Sequence, residues 1–479
     1  MARPLSDARN TLAAPAPAAV PIPAAHSFPL PLSEFEDYML CDDSPSHPML
    51  IVMLADVTGT LLEPQFRESV AAMLLQQPLL RSRIISLNGA NAWQTLSQLP
   101  DPVAWFNTDT NPDLCFPDVQ PLDVRSGQCI RIRVWFAPTH SRIALELHHS
   151  CADGIAAVQL LGQLFTEYAA RTGGAAISEP NDALSVERSL LQRSPLNSNG
   201  QSEKSRSTPL HLLPGKLARL ILRRPAQIAD SARRHGPDSK PTQDTPQQAI
   251  RVQSLPTQTL ANLRSFAAKH NVALNDVLLL EILLHLAHWN STAGTGNPAD
   301  WLRIAVPISL RNPRSLPLPA CNLVSYALVT HRIRECSNPD QLLQTIHQKT
   351  LTMRSGKDGI IALRIFRLLK HIPGGVRAFL ALWPCAGTLV LANVGNVTRR
   401  CQLNLPLQDN RWIAGNVLVN RICGTPPVRP NTLAALGITE YASQLHISLR
   451  TDGTRLNAAD SQTFLAQFTA RLESLAQAQ

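Results

Sequence analysis

With 479 residues the chain is too long for one ordinary core and supplies enough polypeptide for about three domains. Apolar residues make up 44% of it and charged ones 16%, a balance that excludes a disordered chain, while 22 glycines without a triplet period exclude collagen. A net charge of +9 suits an anionic partner (phosphate, an acidic carrier protein, nucleic acid or an anionic membrane face) without choosing among them.

Residues 1–28 carry Pro4, Pro15, Pro17, Pro21 and Pro23 among alanines, which interrupts any signal-type apolar helix and reads as a disordered arm. Residues 29–178 alternate helical and strand-like patterns and form a first lobe. Within it, Phe66, Val70, Met73 and Leu74 recur at helical spacing after Pro64, predicting a helix over 63–80. Strict alternation over 130–136 and again over 141–147 predicts two strands joined in a hairpin, the second running into His148 and His149. A helix over 156–170 follows, with Val158, Leu161, Leu164 and Phe165 on one face. Residues 179–248 are rich in Ser, Pro, Gln and Arg and read as a crossover linker.

A second lobe is expected over 249–479. Asn275 is a good N-cap for a helix over 276–289 that is apolar nearly all round and therefore buried. Strands are expected over 301–307 and 323–329, and a last helix over 461–475. The apolar stretch 277–284 is too short to span a bilayer, and 379–394 is interrupted by Pro384, Gly387 and Asn393. Nine cysteines stand dispersed with no CxxC pair, the pattern of reduced thiols in a cytoplasmic protein without a zinc ribbon. Glu281, His285 and His288 share one helix face but lack a fourth metal ligand nearby, so a core role is expected and no metal. The stretches 213–224 and 363–377 are both basic and apolar, which suits either ordinary packed helices or a peripheral contact at the inner membrane face. Nucleic acid is not expected, because the basic residues are not interleaved with aromatics.

The chemistry concentrates in His148-His149-Ser150-Cys151-Ala152-Asp153-Gly154, at a strand end where function is commonly mounted. His149 offers a side chain that takes a proton near neutral pH. Asp153, four residues on, is spaced either to fold beneath the imidazole or to brace the loop by pairing with an arginine. Gly154 admits a backbone conformation that a residue with a Cβ resists. Local capping explains Asp153 but not the doubled histidine.

This motif resembles the HHxxxDG signature of the HxxxD acyltransferases, which include chloramphenicol acetyltransferase, the condensation domains of peptide synthetases and the wax ester synthase/diacylglycerol acyltransferases. Pro31-Leu-Ser-Glu-Phe-Glu-Asp37 with Ser46-His-Pro-Met49, then Asn275-Asp276-Val277-Leu278, Val306-Pro-Ile-Ser-Leu-Arg311, Asn322-Leu-Val-Ser325 and the segment 445–452 are similar, in order, to motifs of the wax ester synthase group. The chain departs from that group at Asn393-Val-Gly-Asn-Val397, where the group has Asn-Val-Pro-Gly-Pro, and at Cys321, where it has Gly. The resemblance implies an α/β fold of two chloramphenicol acetyltransferase-like lobes with the active site in a tunnel between them. It implies catalysis through His149 as general base with Asp153, His148 and Gly154, and oxyanion or substrate contacts from Asn322, Ser325 and Arg311, the last able to pair with Asp153 across the lobes. Cys151 falls at a variable position and is not expected to be a nucleophile. The main reading is transfer from acyl-CoA, a substrate rather than a cofactor, to an alcohol by a monomer. The alternatives are a condensation-type enzyme joining carrier-bound acyl groups to an amine or alcohol acceptor, and a non-catalytic lipid- or partner-binding relative.

Overall fold

A computed structural model describes residues 28–174, 190–191, 193–194, 223–236, 248–311, 318–354, 357–382, 387–401 and 403–478. The first half runs β1 (Leu30–Pro31), α1 (Glu34–Asp42), β2 (Leu50–Thr58), α2 (Glu63–Leu75), β3 (Ser82–Leu87), β4 (Ala90–Thr95), β5 (Val103–Asn107), β6 (Ile130–Ala137), β7 (His140–His148) and α3 (Gly154–Arg171). A short α4 (Ser231–His235) precedes β8 (Gln248–Leu255), α5 (Thr257–Lys269), α6 (Leu274–Thr292), β9 (Trp301–Ser309) and β10 (Val324–Arg332). Then come α7 (Pro339–Arg354), α8 (Lys357–Lys370), α9 (Gly375–Leu382), β11 (Leu389–Asn396) and α10 (Val397–Cys401). The chain closes with β12 (Leu407–Gln408), β13 (Arg411–Ala414), β14 (Val417–Thr425), β15 (Ala434–Tyr441), β16 (Gln444–Asp452) and α11 (Ala458–Gln477).

Two mixed sheets organise these elements into two α/β lobes. The first has strand order β12-β13-β14-β2-β7-β6-β5, the second β10-β9-β11-β15-β16-β8, and a small third sheet is β1-β4-β3. The hairpin of β6 and β7 pairs Ala137 with His140, leaving Pro138-Thr139 as a two-residue turn. Central β2 is buried along all but its last residue because β7 and β14 flank it and α3 packs over it. Ser33 and Glu36 cap each other's amides at the start of α1, Glu36 accepting from the Ser33 N–H at 2.7 Å.

Several boundaries differ from the sequence reading for identifiable reasons. The helix expected over 63–80 ends at Leu75, since Pro78 opens a 3₁₀ turn over Pro78–Arg81. The buried helix α6 starts at Leu274 rather than after Asn275: Asp276 accepts the Ala273 N–H at 2.9 Å, and the Asn275 side chain instead accepts a hydrogen bond from Asn393 at 3.1 Å. On α6, Glu281 pairs with Arg471 at 2.9 Å, His285 lies 4.4 Å from the Phe464 ring, and His288 is exposed. Among the described residues no cluster of metal-ligating side chains occurs, and no single helix is long and apolar enough to cross a membrane.

The division of the chain at residue 249 is not the division of the sheets. Strand β14 pairs antiparallel with β2, from Leu418 opposite Thr58 to Thr425 opposite Val52, so 407–425 completes the first lobe's sheet. The expected linker is also partly folded. Arg193 pairs with Glu36 at 2.8 Å on the first lobe, while Ile228 and Ala229 are buried in the second lobe's core under the Asn290 amide. Most of 213–224, including its apolar part, lies outside the described residues.

Candidate active site

Strand β7 delivers the histidine pair to the junction of the lobes. The His149 N–H donates to the Met49 carbonyl at 2.7 Å, pinning the loop to the chain just ahead of β2. Its ring Nδ1 lies 3.0 Å from the Ala152 carbonyl, which only accepts, so Nδ1 carries the proton and Nε2 keeps its lone pair. Asn322 approaches the same Nδ1 at 3.3 Å, but an amide donor facing an N–H makes no bond there, and its hydrogen bond goes to the His149 carbonyl at 2.6 Å. Burial pulls the imidazole down to about 4, so the ring is neutral at physiological pH. Nε2 has no hydrogen-bond partner among the described residues.

The neutral ring lines a cavity of about 260 Å³ between the lobes. The first lobe contributes Ile51, Met53, His149, Asp153, Gly154 and Ile155, and the second Pro307, Arg311, Val324, Tyr326, Val394 and Arg400 among others.

Asp153 does not reach the imidazole. It N-caps α3, Oδ1 accepting from Ile155 and Ala156 at 3.1 and 3.0 Å. Oδ2 accepts the Leu323 N–H at 2.8 Å and pairs with the Arg311 guanidinium across the lobes. Arg311 also donates to the Cys321 carbonyl at 3.1 Å, so two of its five N–H donors are taken by protein while the side chain lines the cavity.

Other expected residues need correction. His148, adjacent to His149 at the strand end, points to the opposite side. It is fully buried, accepts the Ser150 N–H at 3.1 Å, stands 3.7 Å from Asp43 and does not line the cavity. Ser325 is likewise turned away from the cavity, its hydroxyl donating to the Gly359 carbonyl at 2.9 Å. Asn322 spends its amide on His149, as described. Neither is placed to stabilise an oxyanion. Gly154 is not in a left-handed conformation, and a Cβ there would meet Val394 at an ordinary 3.6 Å. Gly154 lines the cavity at the first turn of α3, and its N–H has no acceptor among the described residues. Cys151 donates its thiol to the His148 carbonyl at 2.9 Å, and burial raises its pKa far above the usual thiol value.

Tyr326 and Arg400 are among the cavity residues that the sequence reading did not single out. The Tyr326 phenol lines the cavity, burial pushes its pKa up, and its hydroxyl has no hydrogen-bond partner among the described residues. Arg400 sits exposed at the rim, its Nε donating to the Val394 carbonyl at 3.1 Å. Strand alternation over β10 puts Ser325 and Tyr326 on opposite faces but leaves open which face meets the cavity.

No family model matches the chain, and no curated protein matches it. Solved structures do. The first condensation domain of the calcium-dependent antibiotic synthetase superposes with a TM-score of 0.64 at 13% identity, over 93% of this chain and 96% of that one. The fold is that of condensation domains. A variant of the starter condensation domain of rhizomide synthetase, solved with C8-CoA and Leu-SNAC, gives a TM-score of 0.60 at 14% identity, over 94% of both chains. SgcC5 from Streptomyces globisporus gives 0.60 at 14%, over 93% of this chain and 98% of that one. At 13–14% identity these likenesses establish the fold, and none of the three structures is a wax ester synthase.

Proposed function

We propose that the protein is a condensation-type acyltransferase, joining an acyl group held as a thioester to an amine or hydroxyl acceptor. The observation that carries this reading is the tautomer of His149: Nδ1–H fixed on the Ala152 carbonyl, Nε2 unprotonated at a cavity shared by both lobes. The acceptor nitrogen or oxygen attacks the thioester carbon while Nε2 takes its proton. The tetrahedral oxyanion is met by the Gly154 N–H at the positive end of α3. The C–S bond then breaks, and the departing thiolate receives the proton from the imidazolium, leaving a free thiol and an amide or ester. Both substrates are held at once, so no acyl-enzyme forms, and Cys151 has no part in the reaction.

Asp153 and Arg311 hold the loop and the lobes in register. Tyr326 offers a neutral hydroxyl to orient the acceptor or the thioester. The chemistry needs no metal or resident cofactor. All eight described cysteines are free thiols, which supports a reducing, cytoplasmic setting.

The test is incubation of purified protein with acyl groups on N-acetylcysteamine, on CoA and on a carrier protein, each against amine and alcohol panels, following thiol release and product mass. Turnover with the carrier-bound donor is expected to exceed that with free acyl-CoA, and His149→Ala is expected to lower it by about 10²–10⁴-fold. A folded His149→Ala variant with undiminished turnover overturns the assignment of the base.

A further inference from the structure

We infer that the corner between α8 and α9 is a docking surface for an anionic lipid bilayer. From residue 359 to residue 408 the sequence contains no Asp or Glu, while it carries Arg364, Arg367, Lys370, Arg377, Arg399 and Arg400. The inner side of the corner is satisfied: Leu363, Phe366 and Val376 pack with Phe35 and Tyr38 of α1, and Arg367 pairs with Glu34.

Among the described residues the outer side is apolar and exposed. Leu368 is 54% exposed and Ile372 57% exposed, four residues apart, and Leu382 at the end of α9 is 85% exposed. Every residue from His371 to Gly374 is exposed, so the turn projects from the body of the protein. Arg377 is exposed one turn beyond it.

Charge and shape choose the occupant. Large apolar side chains flanked by cations, in a stretch without a single anion, match a surface that is negative outside and hydrocarbon beneath. A projecting turn is enclosed on all sides by a fluid that closes around it, whereas an acidic protein would have to supply a fitted groove. Bound in this way, the protein would sit on the membrane by Leu368, Ile372 and the cations around them, with no segment crossing it.

The test uses the full chain in vesicle flotation and does not depend on catalysis, so its outcome is separate from that of the proposed reaction. Phosphatidylcholine vesicles containing phosphatidylglycerol are expected to carry the protein at least about tenfold more than phosphatidylcholine alone, and less as salt is raised. The double variant Leu368→Glu/Ile372→Glu is expected to lose flotation at least about tenfold with an unchanged melting temperature, and Arg377→Glu to weaken it several-fold. Wild-type protein that stays in solution with anionic vesicles overturns the inference. So does a folded double variant that floats like wild type, or capture of the corner by an acidic protein in the absence of vesicle binding.

Discussion

His149 is kept neutral by the same burial that brings it to the cavity, and this fixes how activity responds to acid. Its folded pKa of about 4 lies below the usual 6.5, so the base form persists as pH falls through 6.5 and is lost only near 4. With a hydroxyl acceptor, which does not itself titrate in this range, kcat/KM is expected to stay flat from pH 8 to about 5 and to fall below that with a slope of one proton. An amine acceptor would add its own ionisation and mask the effect, so the alcohol series is the informative one. A decline centred near 6.5 would show the ring to be solvated in the working state.

The elements meeting at Asp153 make one carboxylate serve as helix cap and as interlobe latch. Oδ1 holds the first turn of α3, while Oδ2 holds Arg311 and the Leu323 N–H just ahead of β10. Asp153→Asn keeps the cap but turns a second donor toward Arg311 and the Leu323 amide, stranding a largely buried guanidinium. A loss of about 3 kcal/mol is expected, with a comparable loss for Arg311→Met. The double variant should be less unstable than the sum, by about 2 kcal/mol in a denaturation cycle. Additive losses would mean that the pair is incidental. Local pattern made much of this scaffold readable: alternation exposes β6 and β7, and helical spacing exposes α3. Residue chemistry at fixed spacing singles out His149 and Asp153. What local pattern does not contain is register and partner choice. It could not say that β10 turns Tyr326 rather than Ser325 to the cavity, because one residue of register decides the face. Nor could it say that the Asn322 amide goes to the His149 carbonyl, a contact between segments far apart in sequence, whereas the pairing of Arg311 with Asp153 was expected and is present.

Across the whole molecule the lobes are interleaved rather than merely docked, because β14 leaves the second half of the chain to lie against β2 while β15 stays in the second sheet. The two strands touch where Gly437 of β15 passes Gly424 of β14. A Cβ on Gly437 would stand 1.8 Å from the Gly424 carbonyl oxygen, backbone that cannot step aside. Gly437→Ala is therefore expected to part the sheets, with a loss of several kcal/mol in chemical denaturation. Joined lobes should also unfold together, and acid is the condition that tests this. His149 and His446 have folded values of about 4 and His285 of about 3, all lowered chiefly by burial from 6.5. Between about pH 6.5 and 4 the unfolded chain binds these protons and the folded one does not, so stability is full above 6.5 and is lost as pH falls. Three protons correspond to a slope of about 4 kcal/mol per pH unit near pH 5. Glu146 and Glu281, whose pKa values burial raises, take up protons in the folded state above 4.5 and so oppose part of this slope. The guanidinium midpoint is expected to fall steeply from pH 7 to pH 5, in a single transition seen alike by tryptophan fluorescence and far-UV circular dichroism. His285→Phe, which keeps an aromatic ring against Phe464 but cannot titrate, should flatten that slope by about a third. An unchanged slope in that variant would place the acid sensitivity outside the buried histidines.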